Sequence, residues 1–203
     1  MSIDEIMCSA PVIPVLVLEE KLDWRALAET FVASGLPVIE VTMRTPLALE
    51  AIKEMADVPG AIVGAGTIVS ERQLEQAIAA GSRFIVSPGL TTSLARSVLQ
   101  SGVPYLPGVA TASDIMRGLD LGLDRFKFFP AEAAGGIAAL KALAGPFRDV
   151  RFCPTGGIRA DTAPDWLALD SVLCVGGSWL VRHGDNLATI GASARAAGQL
   201  RAG

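Results

Sequence analysis

The sequence predicts an α/β protein built as a (β/α)8, or TIM, barrel, and three observations predict it. Short apolar runs rich in β-branched residues alternate with helical stretches along the whole chain, in eight units about 20–25 residues apart. The runs are continuously apolar, as in parallel strands buried on both faces. Most run ends carry Gly, Pro, Ser or Thr, which suits backbone that approaches a ligand closely at the C-terminal mouth of a barrel. No composition shift or linker divides the 203 residues, so residues 1–203 read as a single domain at the short end of the range for this fold. A doubly wound open sheet shares the alternation. No G-x-G-x-x-G follows the first run, which counts against a dinucleotide-binding version.

The elements follow in order. Residues 12–17 form an apolar, β-branched first strand. Asp23 caps a helix that runs to about Ser34 and stops at Gly35. Residues 38–42 (VIEVT) are the second strand, and 45–55 a helix with Pro46 in its first turn. Residues 61–64 are strand three. Ser70 opens a helix through a Ser70–Gln73 capping box, ended by Gly81. Residues 84–87 are strand four, 91–100 a helix closed near Gly102, and 105–107 a short strand five. A helix over 112–121 ends at Gly122, residues 125–128 are strand six, and a helix over 137–144 ends at Gly145. Residues 151–153 are strand seven, followed by a helix over 162–169. Residues 172–175 are strand eight, and a last helix spans 186–200.

Composition excludes several classes. Hydrophobic residues make up 51% and charged residues 19%, which rules out a disordered chain, a coiled coil and a collagen-like repeat. The net charge is −4, and the 17 basic residues are scattered, so no basic footprint for nucleic acid is expected. The mean hydropathy is high, +0.46. Even so, residues 11–18 (PVIPVLVL), among the longest apolar runs, fall far short of the 18 or so residues of a spanning helix, and no membrane role is expected. The N-terminus MSIDEIMCSA carries two acids and no base, unlike a secretory signal. Cys8, Cys153 and Cys174 show neither metal-ligand spacing nor a disulfide framework, and fit a reducing, cytoplasmic setting. Cys153 and Cys174 read as small core residues, and Trp24, Trp166 and Trp179 as packing residues. The one histidine, His183, lies in a polar stretch and reads as a surface residue.

Two charges stand inside strands. Of the four lysines, Lys21, Lys53 and Lys141 fall in a loop and two helices, whereas Lys127 lies among aromatics in Arg125-Phe126-Lys127-Phe128-Phe129. Burying an ammonium is costly, and a neutral amine in a dry pocket is the nucleophile that forms a Schiff base with a carbonyl. The alternative is a rim lysine that snorkels to water or pairs with an acid. Glu40 shares one strand face with Val38 and Thr42, and Ile39 and Val41 share the other. If the Glu40 and Lys127 faces both point into a barrel, carboxylate and amine meet there, either as proton relay or as structural ion pair. Arg44, just past the strand end, suits bidentate binding of a carboxylate, or lies solvated in a loop.

Strands seven and eight end in Pro154-Thr155-Gly156-Gly157 and Val175-Gly176-Gly177-Ser178. Barrels often bind phosphate at these two ends, where glycine lets backbone N–H groups converge on an anion. Ser178 adds a hydroxyl. Thr67, in Gly64-Ala65-Gly66-Thr67, either contacts a ligand or caps the next helix.

The motifs Val38-Ile39-Glu40-Val41-Thr42-x-Arg44-Thr45, Gly64-Ala65-Gly66-Thr67, Ser87-Pro88-Gly89, Phe126-Lys127-Phe128-Phe129-Pro130-Ala131-Glu132, Arg151 to Ile158 and Gly176-Gly177-Ser178-Trp179-Leu180 occur in order over roughly residues 10–181. Together they closely resemble the bacterial KDPG (2-keto-3-deoxy-6-phosphogluconate) / KHG (4-hydroxy-2-oxoglutarate) aldolase family. The resemblance implies a class I aldolase of the Entner-Doudoroff pathway, a homotrimeric barrel that needs no metal or organic cofactor. Its partners would be a 2-keto-3-deoxy sugar acid phosphate, pyruvate and an aldehyde. It implies Lys127 as Schiff-base residue and Glu40 as general acid/base. Arg44 would bind the pyruvyl carboxylate, with Thr67, Pro88 and Thr155 around the pyruvyl group. Gly156, Gly157, Gly177 and Ser178 would form the phosphate site. The galactonate-derived epimer remains an alternative substrate. A sugar-phosphate isomerase or synthase, or a phosphate-binding barrel without chemistry, are the rival classes.

Overall fold

The computed structural model describes residues 1–200. Strands β1 (Val12–Leu16), β2 (Val38–Thr42), β3 (Ile62–Gly66), β4 (Ile85–Val86) and the first half of β5 (Tyr105–Leu106) pair in parallel in chain order, and β8 (Val175–Gly177) pairs with β1. The second half of β5 (Gly108–Val109) pairs with β6 (Arg125–Phe128), and β6 with β7 (Arg151–Pro154). Pro107, which has no N–H, separates the two halves of β5, yet its carbonyl accepts the Lys127 N–H at 2.9 Å. A bridge from Thr155 to Gly176 joins β7 to β8 and closes the ring. The expected (β/α)8 barrel is the observed fold.

The helices are α1 (Ile3–Met7), α2 (Trp24–Ala33), α3 (Ala48–Ala56), α4 (Glu71–Ala79), α5 (Thr92–Ser101), α6 (Ala112–Leu119), α7 (Gly136–Ala144), α8 (Ala163–Leu167) and α9 (Leu187–Gly198), with a 3-10 turn at Ser178–Leu180. Their starts follow side-chain chemistry. Asp23, Ser70, Thr91, Thr111 and Asn186 each accept an N–H of the first turn. Gly102, left-handed at φ 73°, closes α5. Most boundaries shift from expectation by one to three residues, and three differences change the local picture. Pro46 lies before α3, in a turn that precedes Ala48. Strand eight occupies Val175–Gly177, and Val172 makes only a bridge to Phe152. Helix α1 was not expected at all. The Ser2 hydroxyl accepts the Glu5 N–H at 3.2 Å, and the Glu5 carboxylate accepts the Ser2 N–H at 2.6 Å, a full capping box.

Alternation along the strands sorts side chains into two cores. Ile39, Val41, Phe126 and Phe128 point outward and pack beneath the helices. Ile13, Val38, Ile62, Phe84, Val86, Leu106, Cys153 and Cys174 fill the lower lumen, which Ile6 and Met7 of α1 plug from below. The Asp4 carboxylate of α1 accepts the Arg125 Nε–H at the foot of β6 and so holds the plug in place. Cys153 and Cys174 are free and buried. The neighbouring Cys153 thiol, together with burial, holds the Cys174 thiol well above its ordinary range, as suits an inert core thiol. The inward face of β2 therefore carries Val38 into the apolar floor and Glu40 and Thr42 above it. Among the described residues no helix is long and apolar enough to cross a membrane.

Candidate active site

At the C-terminal mouth of the barrel lies a cavity of about 180 Å³, lined by Val15, Val17, Glu40, Thr42, Arg44, Thr67, Pro88, Lys127, Phe129, Thr155, Gly156 and Ser178. All the expected site residues except Gly157 and Gly177 line it, and those two are chain neighbours of Gly156 and Ser178.

Lys127 and Glu40 meet at the floor. The Lys127 Nζ donates to Glu40 Oε1 at 2.9 Å and to Oε2 at 3.2 Å. Their side chains are 7% and 3% exposed. The pair is possible because two charged residues sit at inward positions of apolar strands on opposite sides of the lumen. The Lys127 side-chain nitrogen also lies 5.4 Å from the centre of the ring of Phe129, just past the end of β6. The other three lysines are exposed. Gly66 shapes the space for Glu40, since any Cβ at position 66 would collide with that carboxylate. Gly66→Ala should displace Glu40 and cut turnover by roughly 10²-fold. Steady-state kinetics on protein with unchanged circular dichroism checks this; unchanged kcat would contradict it.

The rim is fixed by local bonds. Thr42 Oγ1 donates to the Leu16 carbonyl at 2.8 Å, and the Met43 N–H to the Gly66 carbonyl at 2.8 Å, so the turn that carries Arg44 is anchored to β1 and β3. Among the described residues the Arg44 guanidinium makes no ion pair. Ser87 Oγ donates to the Gly89 carbonyl at 2.6 Å and lies 2.7 Å from the Tyr105 hydroxyl, so Tyr105 is the donor to Ser87. This clamp sets Pro88 at the cavity wall. Burial pushes the Tyr105 phenol up, and the Ser87 hydrogen bond opposes that shift.

Thr67 has φ 59°, the only positive value on a non-glycine residue among those described. A β-branched residue there costs about 1–2 kcal/mol, and such strain gathers at binding sites. Thr67→Gly should relieve it. We expect a Tm unchanged or slightly raised, because glycine's added freedom in the unfolded chain offsets part of the gain, together with a clear loss in kcat/KM as the hydroxyl leaves the cavity. A large fall in Tm by calorimetry would contradict this.

After β7, Gly156 and Gly157 are both left-handed, φ 105° and 80°. The Thr155 and Gly156 carbonyls are turned toward the loop after β6: the Ala131 N–H donates to Thr155 O at 2.8 Å and the Glu132 N–H to Gly156 O at 3.0 Å. The N–H groups of Gly156 and Gly157 themselves donate to no described acceptor. Two adjacent backbone donors without a described acceptor, beside Ser178, have the composition that suits an anion.

Sequence reasoning did not single out Val15, Val17 or Phe129, whose period-2 spacing from neighbouring inward residues was the available signal. His183 is exposed, at 87% of its side chain, and faces Glu20 at 3.5 Å, away from the cavity. Among the described residues no group of three or more His, Cys, Asp or Glu is placed to hold a metal ion.

A barrel with a buried amine–carboxylate pair at the floor of its C-terminal cavity has the chemistry of a carbonyl-directed, Schiff-base type of site. Comparison with known proteins agrees. The family model "Aldolase: KDPG and KHG aldolase" matches residues 3–192, and the chain belongs to the KDPG and KHG aldolase family. A 2-dehydro-3-deoxy-phosphogluconate aldolase of Zymomonas mobilis is 59% identical over 182 residues, 90% of this chain and 88% of the relative. The crystal structure of a 2-keto-3-deoxy-6-phospho-gluconate aldolase from Zymomonas mobilis superposes with a TM-score of 0.96 at 55% identity, covering 99% of this chain and 98% of that one. The KDPG aldolase of Legionella pneumophila, solved with pyruvate captured at low pH as a covalent carbinolamine intermediate, has a TM-score of 0.94 at 42% identity over 98% and 99% of the two chains.

Proposed function

We propose that this chain is a class I aldolase that cleaves 2-dehydro-3-deoxy-6-phosphogluconate to pyruvate and D-glyceraldehyde 3-phosphate, and 4-hydroxy-2-oxoglutarate to pyruvate and glyoxylate. The observation that carries it is the buried Lys127–Glu40 pair at the cavity floor. The names of its relatives and the pyruvate adduct of the Legionella protein support it.

Glu40, in direct contact with Nζ, takes the proton that Lys127 must lose to expose its lone pair. The amine adds to the C2 ketone, giving a carbinolamine. Glu40 returns the proton to the leaving hydroxyl, and water departs to leave an iminium. Glu40 then accepts the C4 hydroxyl proton, directly or through a water. The C3–C4 bond breaks, its electrons pass into the iminium to form an enamine, and the aldehyde leaves. Protonation at C3 and addition of water release pyruvate and restore the amine. Arg44 binds the pyruvyl carboxylate in a bidentate way. Thr67, Pro88 and Thr155 hold the pyruvyl group. Gly156, Gly157, Gly177 and Ser178 hold the phosphate through backbone N–H groups and a hydroxyl.

The working form is a homotrimer in a reducing, cytoplasmic compartment. Exposed Val69, Leu99, Met116 and Leu119 offer apolar surface that a second copy would cover, and the free cysteines suit such a compartment. Light scattering on the purified chain should return three copies. Pyruvate release, followed through a coupled dehydrogenase, should be at least about tenfold more efficient with the phosphorylated substrate, the worth of one to two charge-assisted hydrogen bonds. Equal efficiencies would remove the phosphate site from the proposal, and no pyruvate from either substrate would overturn it.

A further inference from the structure

The Gly156-Gly157 turn has no basic side chain among the residues lining the cavity beside it except Arg44 and Lys127, so its grip on an anion rests on backbone geometry. A turn of two left-handed glycines is intrinsically pliable. What stiffens it is Glu132, in the loop after β6. The Glu132 N–H bonds the Gly156 carbonyl at 3.0 Å. Its Cβ and Cγ lie directly beneath Gly157, where any added Cβ would approach both to 2.7 Å. Its Oε1 accepts the indole N–H of Trp166 at 3.1 Å. Trp166 is fully buried in α8 and packs on Phe128 of β6, with ring centroids 6.3 Å apart. The exposed carboxylate is thus tethered to a rigid part of the core, and the tether passes under a turn whose N–H groups have no described acceptor and whose Gly156 lines the cavity.

We propose that Glu132 is a positioning residue for phosphate recognition: it sets the Gly156-Gly157 turn through the Trp166 anchor without touching the substrate. The assignment rests on the phosphate site proposed above. It separates phosphate binding from Schiff-base chemistry, because Glu132 is absent from the cavity that Lys127 and Glu40 line.

The test compares Glu132→Ala and Glu132→Gln with the unmodified chain, using both substrates and inorganic phosphate as a competing probe. Glu132→Ala should raise KM for the phosphorylated substrate and the inhibition constant of phosphate about tenfold, the worth of one lost hydrogen bond to a charged group. Its kcat, and its kcat/KM on 4-hydroxy-2-oxoglutarate, should stay within about twofold. Glutamine keeps an oxygen that accepts the Trp166 N–H, so Glu132→Gln should recover most of the loss. A merely structural residue would instead lower both substrates alike. That result, or unchanged phosphate inhibition in Glu132→Ala, would overturn the assignment while leaving the phosphate site standing. An unmodified chain that phosphate does not inhibit would overturn the phosphate site itself, and the role of Glu132 with it.

Discussion

Replacing Lys127 with alanine should abolish aldol cleavage of both substrates, by roughly four orders of magnitude or more, because the covalent step loses its nucleophile and no other lysine reaches the cavity. The same change has a second, separable consequence. The Glu40 side chain is 3% exposed and has Lys127 as its hydrogen-bonding partner. Removing one member of a buried ion pair leaves an uncompensated charge and costs about 3–5 kcal/mol. In a chain of this size that lowers Tm on the order of 10 °C, while the barrel remains folded. The double variant Lys127→Met, Glu40→Leu removes both charges and should recover much of that loss while staying inactive. Calorimetry on the two variants checks the pair. A double variant less stable than Lys127→Ala would mean that Glu40 is satisfied some other way.

Glu40→Gln should lower kcat by about 10²–10⁴-fold, the usual worth of a positioned acid or base. The amide keeps an oxygen near Nζ, so the cavity should hold its shape, and Lys127 should still be trapped by pyruvate, more slowly. The contrast between surviving adduct and lost turnover distinguishes a proton relay from a structural ion pair. If Glu40→Gln turned over substrate at near the unmodified rate, the carboxylate would be a charge partner only.

These two residues were legible in the sequence because an acid and a base inside apolar strands break the pattern around them, and period-2 alternation assigns each a face. Strand β2 had the bounds expected of a β-branched run. Strand eight did not. Its apolar run at 172–175 suggested one span, but pairing with β1 selects Val175–Gly177, and register overrides the poor strand propensity of glycine. The plug helix α1 was readable from Ser2 and Glu5, whose spacing is that of a capping box, although five residues at a chain end make a weak pattern. Thr67 was legible as a polar strand end, not as a strained one, since strain belongs to backbone geometry. The Glu132–Trp166 bond joins the start of one loop to a helix beyond the next strand; no local period encodes it, and Trp166 alone reads as packing.

In the proposed reaction Lys127 is the amine that captures the substrate ketone. The most direct test of that role is to incubate the chain with pyruvate and sodium borohydride, record the intact mass, and map the modified peptide. A single pyruvyl adduct on Lys127, lost in Lys127→Ala, is the predicted result. No adduct on folded protein, or an adduct confined to an exposed lysine such as Lys21, Lys53 or Lys141, would contradict it.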